Sequence, residues 1–146
     1  MLQINRLGGA DLPDTVGHAG AFLTHVPSGS ELLTGIQYFF ILSESAFIEI
    51  ISSTPDVVVD NIMLSPLSTL PNPFGKWYFF KHSINGSSQE IHFIYSIGNF
   101  AATTTGYHPI GGMTSYGYEI AYNKPQYGGK YSTKSTMFSP ITPPSK

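Results

Sequence analysis

The sequence predicts an all-β fold: an antiparallel β-sandwich, jelly-roll or barrel-like domain with extended N- and C-terminal arms. Three observations lead there. No stretch carries a 3.6-residue apolar period long enough for a helix. Short apolar runs alternate with Gly, Pro, Ser and Asn punctuation along the whole chain. Several of those runs alternate so that one face carries an apolar row, as a half-buried strand does. At 146 residues the chain makes one domain. A domain of that size buries about 68–70% of its unfolded surface, so it folds without a metal or disulfide.

The elements follow in order. Residues 1–20 read as an N-terminal arm or loop, residues 21–122 as the β-sandwich domain, and residues 123–146 as an extended C-terminal arm. A first strand is expected at Ala21–Val26, ended by Pro27-Ser28-Gly29-Ser30. Ile36–Leu42 and Ala46–Ile51 are strands joined by a tight turn at Ser43-Glu44-Ser45. In the second, Phe47, Glu49 and Ile51 share the wetter face, and Ala46, Ile48 and Ile50 the drier one. Val57–Leu64 is a further strand after the turn at Thr54-Pro55-Asp56. Ser65-Pro66 and Pro71-Asn72-Pro73 frame an extended linker.

Lys76–Ile84 and Gln89–Ile97 are expected to form a hairpin around Asn85-Gly86-Ser87-Ser88, because Asn-Gly supplies the positive φ angles of a type I′ turn. Tyr78, Phe80, His82 and Ile84 form one row; Ile91, Phe93, Tyr95 and Ile97 form another. A four-residue loop sets Phe80 opposite Phe93 and Tyr78 opposite Tyr95, aromatic pairs that stabilise a sheet by ~0.2–1 kcal/mol each. Gly98–Gly117 contains no formally charged residue and reads as a long structured loop or contact surface. Ser115–Tyr122 is a last strand, with Tyr116, Tyr118, Ile120 and Tyr122 on one face.

Composition narrows the function. There is no Cys, hence no thiolate chemistry and no Cys-based metal site. A net charge of −2 and a single arginine, Arg6, argue against a nucleic-acid binder. Charged residues make up 11% of the chain against ~25% in an ordinary domain, and aromatics 14%. So few charges suggest a surface covered by protein neighbours. No basic stretch followed by an apolar core marks a signal peptide, and the longest apolar run, Ile36–Leu42, is short of a membrane helix.

No catalytic constellation emerges. In the favoured hairpin register His82 and His92 fall on opposite faces, so no metal pair is expected. His82 reads as a partly buried sheet residue and His92 as an exposed neighbour of Lys81. His18, His25, Asp11 and Asp14 fit no metal motif, and His108 precedes Pro109 as a turn residue would. The carboxylates, Glu49, Glu90 and Glu119 among them, read as turn residues or outward-facing groups, not a glycosidase pair. Gly8-Gly9 and Gly111-Gly112 are no nucleotide loop, and no cofactor is expected. Trp77 and Phe79 share a strand face that either forms a sugar platform or packs on a second sheet; the second is favoured.

Residues 123–146 hold four lysines, no acid, four prolines and a single aliphatic residue. Such a segment buries too little to fold alone, yet it carries aromatics. It reads as an arm ordered on a partner through Tyr127, Lys130, Tyr131, Lys134, Phe138 and Ile141. Tyr107, Met113, Tyr116, Tyr118 and Tyr122, in the uncharged stretch and last strand, extend that contact region.

The apolar segment Thr34–Ser53 (TGIQYFFILSESAFIEIISS), Leu70-Pro71, Gly75 and the aromatic segment ending at Tyr95 resemble the small β-rich structural proteins of tailed bacteriophage particles. These are head cement or decoration proteins and related tail components. Gly75-Lys76-Trp77 and Ser87-Ser88 stand where such proteins more usually have Gly-x-Ile and Ser-Gly turns. The resemblance covers roughly half the chain and carries no catalytic residues. It implies a jelly-roll or barrel-like domain, often trimeric, that binds capsid or tail surfaces. The expectation is a non-enzymatic virion protein, made in the host cytoplasm and placed on the particle surface. Its partners would be its own copies and the major capsid protein, with no nucleic acid and no membrane. The alternative is a carbohydrate-binding or adhesive β-sandwich module using Trp77 and Phe79.

Overall fold

The computed structural model describes residues 4–11, 18–72, 75–86, 90–108 and 114–121. It is all-β, with no helix among those residues. A two-stranded sheet joins β1 (Asn5–Asp11) and β2 (His18–His25). An eight-stranded antiparallel sheet holds β3 (Leu33–Phe40), β4 (Ser45–Ser52), β5 (Val57–Val59), β6 (Ile62–Met63), β7 (Ser68–Asn72), β8 (Gly75–Asn85), β9 (Ile91–His108) and β10 (Thr114–Glu119).

The 18-residue β9 organises this sheet. Along one edge it pairs first with β3 and then with β10; along the other, with β5 and then β4. β8 continues outward from β4, and β7 from β8. Ser52 pairs with Phe100 and Val57 with Ser96, so residues 53–56 stand opposite residues 97–99. That is a bulge, and bulges bend strands. Its hydroxyls bridge it: Ser96 Oγ lies 3.3 Å from Ser52 Oγ and 3.2 Å from Thr54 Oγ1, and the Asn99 amide donates to Ser53 Oγ at 2.9 Å.

The sheet must curl. Phe40 pairs with Ile91 and Ala46 with Gly106. Six peptide steps from Phe40 to Ala46 reach about 20 Å at most. Fifteen residues of straight β9 would separate their partners by about 50 Å. The result is a half-barrel whose concave face is the core. Ile41, Ile48, Ile50, Val57, Val59, Phe80, Ile94 and Phe100 are fully buried there. Gly35, at φ 75°, sits at the irregular register between β3 and β9, where its missing Cβ permits the left-handed backbone.

Several expectations are corrected. Asn85-Gly86 does not close a hairpin between β8 and β9, because β4 lies between them. Phe80 therefore faces Ile50, and Phe93 faces Tyr38. Placing β4 there pairs both its edges and buries Ile48 and Ile50 completely, which a local hairpin would not do. Ser43-Glu44-Ser45 is likewise no hairpin turn, since β3 and β4 take opposite edges of β9. The Gly86 amide donates to the Glu44 carbonyl at 3.1 Å, so the two connections run side by side.

Val57–Leu64 is not one strand. Asp60 and Asn61, at φ 47° and 66°, make a two-residue turn of the type I′ kind between β5 and β6. The linker framed by prolines contains β7, whose Pro71 is tolerated at a sheet edge. Gly98–Gly117 is no loop over its first half: Phe100, Ala102 and Thr104 prolong the buried row of β9. The segment 1–20, read as an arm or loop, contains β1 and the start of β2.

Candidate interaction surface

Alternation decides which side chains reach the outer face. On β9, His92, Ile94, Ser96 and Phe100 point inward, which sends Ile91, Phe93, Tyr95 and Ile97 outward. On β3, Leu33 and Phe39 point inward, which sends Ile36, Tyr38 and Phe40 outward. Register then aligns the rows. Phe40 lies across from Ile91, and Tyr38 from Phe93. Ile36, Tyr95, Val58 and Met63 form one line across β3, β9, β5 and β6. Ile91 is 76% exposed, and Tyr38 and Ile97 64% each. No ionised side chain stands within these rows. Apolar patches of this extent mark interaction sites.

The opposite end of the outer face is covered. There Lys81, Glu49, Thr103 and Glu119 form a line across β8, β4, β9 and β10. Arg6 of β1 meets Glu49 at 2.6 Å, and Lys81 lies 3.5 Å from the same carboxylate. Thr103 Oγ1 donates to Glu119 Oε1 at 2.5 Å. Burial pushes the Glu119 carboxyl up to about 6, although the Thr103 hydroxyl, Arg6 and His25 pull it down. Phe22 of β2 packs against Gly117, where a Cβ would overlap its ring.

Between the two ends lies an open recess of about 420 Å³, lined by Pro27, Gly29, Leu32, Ile51, Leu70, Pro71 and Trp77. Trp77 is opposite Leu70, and Phe79 opposite Ile51. The loop over the recess is tied by Glu31, which accepts from the Ser28 amide at 2.7 Å and meets His25 Nε2 at 3.1 Å. The Ser28 amide, then His25, holds the Glu31 carboxyl below its ordinary value. Trp77 and Phe79 are thus half-buried under a loop, with no second sheet on them among the described residues.

Other expected residues fall elsewhere. Tyr116 and Tyr118 turn to the inner side of β10, where their hydroxyls close the gap to β3. The Leu42 amide donates to Tyr116 Oη at 3.0 Å, Ser43 Oγ lies 3.0 Å from it, and Tyr118 Oη donates to the Phe40 carbonyl. Tyr107 is in β9, opposite Ser115. Met113, Tyr122 and the arm residues Tyr127, Lys130, Tyr131, Lys134, Phe138 and Ile141 lie outside the described residues.

His92 is buried, not exposed beside Lys81. Its Nδ1 is 2.7 Å from Asp60 Oδ2, while Asp60 Oδ1 accepts from the Phe93 amide at 3.0 Å. His82 and His92 both take inward positions, correcting the expectation of opposite faces, which rested on the absent hairpin. No group of three or more metal-ligating side chains occurs among the described residues.

The outer rows are visible in the sequence as alternation, but the expected hairpin pairs the row Ile91–Ile97 with the row Tyr78–Ile84. Only the sheet order exposes it. Compared with protein families, curated proteins and solved structures, the chain finds no match.

Proposed function

We propose that the chain is a non-enzymatic virion structural protein, a capsid cement or decoration subunit that stabilises its particle through protein–protein contacts. The observation that carries this reading is the uncharged apolar face on β3, β9, β5 and β6. A chain with 11% charged residues and such a face is suited to burial by neighbours. The resemblance of Thr34–Ser53 and its companions to small phage structural proteins supplies the kind of particle. Its partners are its own copies and the major capsid protein, at the particle surface. The arm 123–146 reaches a neighbouring subunit. Co-sedimentation with particles assembled without the chain tests this. The wild-type chain pellets with them, and a chain ending at Ala121 pellets more weakly. A wild-type chain left wholly in the supernatant would refute the proposal.

A second reading is a carbohydrate-binding module, favoured by the Trp77 recess. Glycan binding lost on Trp77→Ala would select it.

A further inference from the structure

We infer that the outer face of β3, β9, β5 and β6 packs against the same face of a second copy of this chain. The inference rests on the proposed assembly role and names the surface and the occupant.

Area is the first argument. Ile36, Tyr38, Phe40, Ile91, Tyr95 and Ile97 are 41% to 76% exposed. Side chains of this size, so exposed, offer roughly 100 Å² each. With Met63 and the partly covered Phe93 and Val58 beside them, the face presents roughly 800 Å². A standard stable interface takes ~800 Å² from each partner.

Shape is the second. The line Ile36, Tyr95, Val58, Met63 crosses four strands spaced ~4.8 Å apart, so the face is about 15 Å wide. A single extended segment covers a narrower strip. Another sheet, packed ~10 Å away, covers all of it.

Charge is the third. An apolar face with no ionised side chain asks for no partner of opposite sign, and it is complementary to itself. The same patch on both copies is what a two-fold contact requires.

Sedimentation velocity of the full chain from about 1 to 100 μM tests the inference. The wild-type chain runs as a dimer or a larger assembly. Tyr95→Glu, at the centre of the face, runs as a monomer with unchanged circular dichroism. Phe47→Glu, on the outer face of β4 away from these rows, keeps the wild-type mass. A monomeric wild-type chain, or a Tyr95→Glu variant of wild-type mass, overturns the inference. A monomeric full chain whose 1–121 truncation self-associates also overturns it, because residues 122–146 are then the occupant.

If Tyr95→Glu fails to fold, Ile97→Cys replaces it. The chain has no other thiol. Its reaction rate with an aromatic disulfide reagent falls at least tenfold as the chain self-associates; a rate independent of concentration overturns the inference. A dimer that never joins a particle leaves the inference standing and removes the virion reading. A monomer that docks on a capsid does the reverse.

Discussion

Asp60 does more than turn a corner. One carboxylate oxygen holds the Phe93 amide and the other holds buried His92. Asp60→Ala should lower the unfolding free energy by about 2 kcal/mol in urea titrations, because the buried His92 ring and the partly buried Phe93 amide lose their acceptor at once. Tyr116→Phe removes the acceptor of the Leu42 amide and should cost about 1 kcal/mol. Glu119 acts through pH. Its carboxyl titrates near 6 in the fold, above its ordinary 4.5, so the folded chain binds that proton more tightly. The stability it contributes is whole below about pH 4.5 and is lost as pH rises through 6. The unfolding free energy should therefore fall from about pH 5 to pH 7.5, by about 1 kcal/mol once solvent screening is allowed for, and the melting temperature should fall with it. Glu119→Gln should flatten that slope. None of these roles was legible in the sequence, where Asp60, His92 and Glu119 are isolated polar residues whose partners lie 32, 33 or 16 positions away.

Strands were more legible than their partners. Alternation alone separated Ala46, Ile48 and Ile50 from Phe47, Glu49 and Ile51, and the buried row is the one expected. The same reading grouped the rows of β8 and of the first half of β9 but set them on one shared face, whereas Phe80 and Ile84 point into the core and Ile91, Tyr95 and Ile97 point out of it. It failed at connections. Asn85-Gly86 looks like the strongest turn in the chain, yet among the described residues it is Asp60 and Asn61 that take positive φ angles in a two-residue turn. Turn propensity is local, whereas inserting β4 between β8 and β9 is decided by the core that insertion closes. Gly98-Asn99 looks like an interruption because a bulge and a break share the same residues. The N-terminal hairpin rests on Phe22 lying over Gly117. Gly117→Ala should displace that ring and speed amide exchange throughout β1 and β2, while β4 and β8 stay protected.

At the scale of the molecule, the large sheet of the described residues is a half-barrel apolar on its concave side and, over one end, on its convex side too. Dye that fluoresces on apolar surface should bind Tyr38→Glu less than wild type under conditions that keep both monomeric. That double-sided character was hidden in the sequence, because a row facing solvent and a row facing a core are written in the same residues. The length of β9 carries a different implication, for how the chain folds. Its ladders join it to β3, β4, β5 and β10, and all but the last precede it in the chain. Most of the sheet must wait for residues 91–108 to arrive and find two registers on each edge. Contacts so distant in sequence place folding in the millisecond-to-second range. During that interval the run Ile91–Ile97 stands unpaired, with apolar side chains on alternate positions. The strand that completes the domain is thus also the one that exposes it to misassembly while it is being made.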